Sequence, residues 1–436
     1  MSLSSNTVSH PVSYWRETAN RKVRCPALAN DCHVDTLVIG GGFTGLSAAR
    51  DLLERGIDCL VVEGKDIGWG ASGRTGGFAV PRYKTNFSTL AGRFGHDVAK
   101  DLFNQVVDAV DTVAQTVADF GIECDFQRNG HLTPAHSELA MEGLKADCDW
   151  LREVAGDEVA RTLSVGDAAE MLGTSIYKGA YLDPRGACLH PYNYVCGLAE
   201  ALERRGVPVH SGSPVLSLER EGSHWLARTP EASVRARCVI VATNGYSSAL
   251  SRTDDLYKRI IPVASSVIVT RPLNCDERAA TLPSLLPVTD TRRLVSYFRM
   301  LPSGQLLFGG RGDITGERID PGAYRILERQ MAATFPHLSG VEVTHRWSGM
   351  VAVTLDAFPH IGRQEEGLLY AIGYGGRGVA LTSLMGRRLA AMAAGETLPS
   401  GPMSTGSFPP IPFHAFRRTG MRIMEHYYKI RDHLER

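Results

Sequence analysis

The stretch DTLVIGGGFTGLSAARDLLERGIDCLVVE, residues 35–63, decides the fold. An apolar run meets three consecutive glycines, a helical pattern follows, and after a tight turn at Gly56 a second apolar run ends on an acid. Strand, glycine turn, helix, turn and strand make a βαβ unit. Within it, Gly40-x-Gly42-x-x-Gly45 has the spacing of a dinucleotide-binding turn. The first glycine permits the bend, the second lets backbone N–H groups approach a pyrophosphate, and the third allows the helix to pack closely. The helix N-terminus adds partial positive charge there. Glycines also serve ordinary turns, so context carries the reading: the motif follows a strand, opens a helix and meets Glu63, 18 residues beyond Gly45, whose carboxylate can accept ribose hydroxyls. An acid at this position disfavours a 2′-phosphate, which leaves NAD and FAD.

Working outward, GWGASGRTGG at residues 68–77 is a second glycine-rich stretch, which a nicotinamide dehydrogenase does not need. A longer cofactor with a tricyclic ring requires backbone to approach it again. Residues 96–120 and 137–173 carry apolar positions at helical spacing and read as a helical insertion. A helix over 191–205 leads to short strands near 207–209, 215–219 and 225–228, then to an apolar strand at 238–242 that returns the chain to the first sheet. Residues 260–311 alternate as strands, notably 267–270, 294–299 and 305–308, the pattern of an antiparallel sheet. A strand at 368–373 enters the turn Tyr374-Gly-Gly-Arg-Gly378 and a helix over 379–394, so the opening order appears twice. A linker rich in Pro, Gly and Ser (399–412) precedes a terminal helix over 413–436.

Composition narrows the function. With 436 residues, 43% hydrophobic and 22% charged, the chain reads as a folded protein of two or three interleaved units. Lys+Arg and Asp+Glu both number 47, so no global field favours nucleic acid. The 9 cysteines never fall in a C-x-x-C pair, which removes metal-ribbon and disulfide-scaffold readings and fits a reducing cytoplasm. The N-terminal stretch has no basic start and apolar run of an export signal, and no apolar run reaches the ~18 residues of a transmembrane segment. The expectation is a cytoplasmic protein.

Taken together, residues 38–45, 70–77, 189–192, 242–246, 297–300, 306–310, 346–349 and 373–378 resemble the D-amino-acid-oxidase and sarcosine-oxidase family of flavoproteins, and most of all its gamma-glutamylputrescine oxidase branch, which includes iminodiacetate oxidase-like enzymes. The resemblance spans nearly the whole chain. It implies an α/β protein with a discontinuous Rossmann-like FAD domain (30–90, 181–250 and 346–398), an α+β substrate domain on an antiparallel sheet with helices (91–180 and 251–345), and a linker with C-terminal helix (399–436). It further implies that Gly40, Gly42, Phe43, Thr44 and Gly45 hold the pyrophosphate, Glu63 and Gly64 the adenosine ribose, and Val215 the adenine. Ala71, Ser72, Arg74, Gly76 and Gly77 would run along the flavin, with Ala242, Thr243 and Gly349 closing the site. Gly373, Gly375, Gly376, Arg377, Gly378 and Val379 would lie beside the pyrimidine end. A glycine turn feeding a helix aims N–H groups at the negative charge a reduced flavin carries there.

Two departures from the sarcosine-oxidase pattern bear on chemistry. The lysine those enzymes place after the last glycine turn is Ala380 here, and Arg311 follows Gly309-Gly310, where several relatives attach flavin to a cysteine. Non-covalent FAD is therefore expected, and a substrate carboxylate needs another anchor. Arginine's planar fork suits that task, making Arg299, Arg346 and Arg377 candidates. Arg299 is favoured, since strand alternation puts it on the same side as Tyr297. Lys258 and His360 are candidate positive charges for oxygen reduction. The resemblance implies an amine oxidase: hydride passes from the carbon beside nitrogen to flavin N5, the imine hydrolyses, and O2 becomes H2O2. Iminodiacetate, sarcosine-like N-substituted glycines and gamma-glutamylputrescine are candidate substrates. A flavin dehydrogenase passing electrons to quinone, a non-catalytic flavoprotein subunit and an NAD-dependent dehydrogenase are the alternatives. For the C-terminal segment, a membrane contact is conceivable, but packing of one face onto the body is the plainer expectation.

Overall fold

The computed structural model describes residues 13–20, 23–249, 254–312, 321–404 and 408–435. Residues 1–12, at the start of the stretch read as lacking an export signal, and 405–407 of the linker lie outside the described residues. Strand β1 (Cys32–Ile39) is covered on both faces at Leu37, Val38 and Ile39, as the centre of a parallel sheet demands. Helix α1 (Phe43–Glu54) follows directly, buried from Phe43 through Leu52. A Cβ on Gly45 would stand 2.0 Å from the Gly40 carbonyl oxygen, so helix and turn approach as closely as they do only because residue 45 has no side chain. Strands β2 (Cys59–Val62) and β3 (Ser233–Val241) flank β1, both parallel to it.

The second sheet is built on β4 (Ile261–Pro272), β5 (Tyr297–Met300), β6 (Gln305–Gly310) and β7 (Val343–Val353). These pair antiparallel in the order β7-β4-β6-β5, and Val288–Thr289, His131–Pro134, Ala180–Asp183 and Arg161–Leu163 extend the sheet. Its core includes Phe298 and Phe308, stacked with centroids 5.5 Å apart. Because β7 pairs along its length with β4, residues 346–353 run in this sheet, not with the cofactor unit to which the sequence boundary assigned them. The strand expected over 294–299 begins only at Tyr297, since Asp432 accepts the backbone N–H groups of Arg293 and Leu294. The helical stretch expected over 137–173 ends at Gly156, whose φ of 74° no continuing helix adopts, and resumes as a strand and a short helix.

Strand β8 (Leu368–Ile372) returns to the first sheet beside β3, and His360–Glu365 closes that edge antiparallel. The order is His360–Glu365, β8, β3, β1, β2 and Val209–His210, with a hairpin of Ser217–Glu221 and His224–Arg228 on the outer half of β3. Helix α2 (Gly378–Ala393) lies against α1, where Gly386 leaves no room for a Cβ beside Ser47 and Ala48. The protein is thus a mixed α/β fold whose two glycine turns sit at the same end of one sheet. Helix α3 (Arg417–Leu434) turns Met421, Glu425, Tyr428, Asp432 and Glu435 toward the body. One face does pack, but it is largely polar, whereas an ordinary surface helix buries its apolar stripe.

Candidate functional site

The first glycine turn is held open by its own neighbours. Gly40 adopts φ 117°, and the Phe43 N–H at the head of α1 donates to Ser72 Oγ at 2.9 Å. A Cβ on Gly42 would come within 2.9 Å of that same oxygen. Glu63 accepts the Gly41 and Lys65 N–H groups at 2.8 and 2.9 Å. Burial pushes its carboxyl above the usual range, against the pull of those bonds. Thr44 and Tyr374 share a hydroxyl–hydroxyl bond of 2.8 Å, which joins the first glycine turn to the last. Gly373, Gly375 and Gly376 all have positive φ (88°, 58° and 95°), and the Gly373 N–H donates to Asn244 Oδ1 at 3.0 Å.

Between the turns runs a cavity of about 790 Å³, near the top of the size range of ligand sites. Gly40, Gly42, Phe43, Thr44, Glu63, Gly64, Val215, Ala242 and Thr243 line one end. Ala71, Ser72, Arg74, Gly76, Gly349, Gly375, Gly376, Arg377, Gly378 and Val379 line the middle. Gly45, Gly77 and Gly373 stand behind this wall: a Cβ on Gly77, at φ 79°, would lie 2.2 Å from the Leu189 carbonyl oxygen. Two tryptophans fix the 70–77 loop, Trp15 donating to the Thr75 carbonyl at 2.9 Å and Trp347 to the Arg74 carbonyl at 2.8 Å. Arg74 donates to the Trp69 and Ser348 carbonyls and lies over the Trp69 ring, yet its Nη2 is buried without a partner. A glycine-walled trough, two helix N-termini, an acid at one end and an orphaned guanidinium nitrogen fit the phosphates, ribose and ring of a dinucleotide.

The remaining end carries the chemistry of a second ligand. Tyr297 projects from β5 across Gly309, where any Cβ would meet its ring at 2.1 Å, and shares a hydroxyl–hydroxyl bond of 3.0 Å with Ser265. Lys84, Arg311 and Arg377 line the same cavity, Lys84 exposed to it and the two arginines half-buried. Among the described residues none of these three side chains has an ion-pair or hydrogen-bond partner, and Arg311 Nη1 is fully buried. Burial, reinforced by Arg311 and Arg377, pulls Lys84 down to about 8; burial and Arg82 pull Arg377 down to about 10. The other arginines of this wall are committed: Arg82 to Asp147, Arg292 to Asp290, and Arg293 to Asp432 and Glu435 of α3.

Several residues singled out in the sequence lie elsewhere. Arg299 does share a face with Tyr297, but it is 4% exposed, donates to the Leu189 carbonyl at 2.9 Å and is wedged over Trp15 and Phe78 outside the main cavity. Arg346 pairs with Glu328 at 2.8 Å on the far side of β7. Lys258 is exposed beside Asp255, and His360 is buried against Asp356 and the Phe408 ring. Sequence reasoning missed Lys84 as a site residue and treated Arg311 only as the absence of a cysteine. The available signal was position: Arg82 and Lys84 follow directly on the 70–77 loop.

Residues 35–392 match the model of a family described as FAD dependent oxidoreductase. The chain is 32% identical over 392 residues to the probable oxidoreductase OrdL of Haemophilus influenzae, covering 89% of each chain. It is 31% identical over 434 residues to the gamma-glutamylputrescine oxidoreductase of Escherichia coli, covering 98% of this chain and 99% of that one. Among solved structures, glycine oxidase from Geobacillus kaustophilus superposes with a TM-score of 0.74 at 19% identity, over 86% of this chain and 99% of that one, which is a likeness of fold.

Proposed function

This chain belongs to the family of FAD-dependent oxidoreductases, and on that premise we propose that it oxidises an amine bearing at least one carboxylate, with FAD bound non-covalently and O2 as the final acceptor. The observation that carries the reading is the trio Lys84, Arg311 and Arg377: three cations without counterions line one end of the cavity, and an anionic ligand there relieves their mutual repulsion. The name of the Escherichia coli relative agrees, since a glutamyl group carries a carboxylate.

The trough from Glu63 to Val379 would hold FAD, with Arg74 offering its free nitrogen and the α1 and α2 N-termini their N–H groups. When bound, FAD supplies the acceptor for the hydride leaving the carbon next to the amine nitrogen. The chain's own contribution is orientation and protonation. Arg377, with Arg311 and Lys84, clamps the carboxylate at a fixed place in the cavity. The same cations disfavour a protonated amine beside them, so the amine binds in its neutral form, its proton left to bulk water beforehand, and its lone pair is free as the C–H bond breaks. Tyr297, held by Ser265, lines the chamber, and Arg293 with Glu435, just beyond α3, lines its outer side. No Ser/His pair or paired carboxylates are needed for such a reaction.

The test is a substrate screen with purified protein. Carboxylated secondary amines, N-substituted glycines, diacids and glutamylated polyamines should bleach the flavin anaerobically and yield peroxide in air. Uncharged alkylamines turned over equally well would defeat the anchor. Bleaching without peroxide, restored by a quinone, would make the protein a dehydrogenase instead.

A further inference from the structure

A second cavity, of about 190 Å³, shares no lining residue with the large one. Its inner wall is buried and includes Tyr14, Trp15, His190 and Arg299, whereas Asp125 and Ser303 stand exposed at its rim. Trp15 donates to the Thr75 carbonyl, and Arg299 to the carbonyl of Leu189, whose own N–H donates to the Gly77 carbonyl. The wall of this cavity is therefore also the outer brace of the 70–77 loop.

Two full charges line the cavity, opposite in sign and not joined to each other. Arg299 carries one: it is 4% exposed, its Nε is buried without a partner, and among the described residues no acid pairs with it. Its contacts are the Leu189 carbonyl and the rings of Trp15 and Phe78. A guanidinium set this deep without a carboxylate is costly. Asp125 carries the other. It is held at φ 49°, a conformation few residues other than glycine adopt, and among the described residues its carboxylate has neither an ion pair nor a hydrogen bond. His190 adds no charge: its Nδ1 accepts the Asn193 N–H at 3.1 Å, Nε2 is left to donate to Thr18 Oγ1 at 3.1 Å, and burial beside Arg299 holds the ring down to about 4.

We propose that this cavity binds a small amino acid as its zwitterion, with the carboxylate on Arg299 and the ammonium at Asp125. A plain anion would suit the arginine and be repelled by the rim acid, and a plain cation would meet the reverse; a ligand carrying both charges answers both. Size sets the class. A cavity of about 150 Å³ accepts benzene, so this one has room for glycine, alanine or β-alanine and little more. The inference uses none of Lys84, Arg311 and Arg377, so it stands apart from the substrate reading.

The test is isothermal titration calorimetry of the FAD-loaded full-length protein with glycine, alanine and β-alanine, and with propionate and propylamine as the two single-charge halves. At least one of the amino acids should bind at one site per chain, with affinity unchanged in Arg377→Met, and each half should bind at least about tenfold more weakly. Asp125→Asn, which keeps the shape and tolerates the same backbone, should weaken the amino acid at least about tenfold, and Arg299→Gln should do the same. Should Arg299→Gln fail to fold, as its melting curve would report, Asp125→Asn decides alone. No binding by any of the three amino acids would overturn the proposal. So would binding that is weakened in Arg377→Met, which would belong to the large cavity, or propionate that binds as tightly as the amino acids and ignores Asp125→Asn, which would make this a plain anion site.

Discussion

Arg377 and Lys84 do different work because burial moves them to different places on the pH scale. Arg377, lowered by burial to about 10, stays charged through the neutral range, while Lys84, lowered to about 8, loses its proton within reach of assay. Arg377→Met removes a charge-assisted contact worth about 1.5–3 kcal/mol and should cost on the order of 10- to 150-fold in kcat/KM. If Arg377 grips substrate, the loss appears in KM; if it steadies charge on the reduced flavin, the flavin potential and kcat fall. A change under about threefold, with unaltered potential, would return the anchor to Arg311 and Lys84. For Lys84, KM should rise as pH passes about 8 in wild type, whereas in Lys84→Met it should be high and flat across that range. The stability sign follows from linkage. Between about 8 and the ordinary 10.5 the unfolded chain binds the proton that the folded chain has lost, so stability contributed by this group rises with pH. Melting temperatures of Lys84→Met should therefore exceed wild type most below pH 8, with the gap closing toward pH 10.5.

At the scale of elements, the glycine turns divide into those that serve the fold and those that serve the ligand. Gly45 cannot accept a side chain without driving it into the Gly40 carbonyl, so Gly45→Val should fail to fold, as circular dichroism and expression would report. Gly42→Val meets only the movable Ser72 hydroxyl at 2.9 Å and should fold yet emerge colourless. A yellow Gly42→Val protein would displace the phosphate site. These turns were legible in the sequence because their chemistry is local: strand, glycine spacing and helix follow one another within a few residues. The same locality explains the limits. Alternation put Tyr297 and Arg299 on one face, but only packing of distant segments decides that Tyr297 reaches the cavity while Arg299 is taken by Leu189 and Trp15. Residues 346–353 looked like the approach to β8 and are instead the partner of β4, a pairing across some eighty positions that no local pattern encodes. Lys84 and Arg311 matter because nothing pairs with them, and the absence of a partner is a property of the folded chain. The terminal helix was expected to pack one face onto the body, yet the sequence pattern says nothing of which face turns inward.

At the scale of the whole molecule, the cavity is a seam. Its walls come from the first glycine turn, the 70–77 loop, the last glycine turn, and β5 and β7 of the second sheet, so a single ligand touches both sheets at once. A ligand that binds only the folded state stabilises it by RT ln(1 + [L]/Kd), about 2.7 kcal/mol at a hundredfold excess over Kd. Stripping FAD should therefore lower the melting temperature by an amount on the order of 5 °C, and titrating FAD back should restore it in proportion to the logarithm of its concentration. The fragments test where the binding energy resides. On the proposed placement, with adenosine at Glu63 and Val215 and the ring along the 70–77 loop and Tyr297, FMN, which lacks the adenosine, should restore little, and ADP, which lacks the ring, should restore part. Heat or acid should release the whole flavin into the supernatant, since no cysteine follows Gly309-Gly310. Flavin fluorescence that stays with the precipitated chain would mean a covalent link, and an apo-protein melting at the same temperature as the yellow one would mean that the two sheets hold together without the ligand between them.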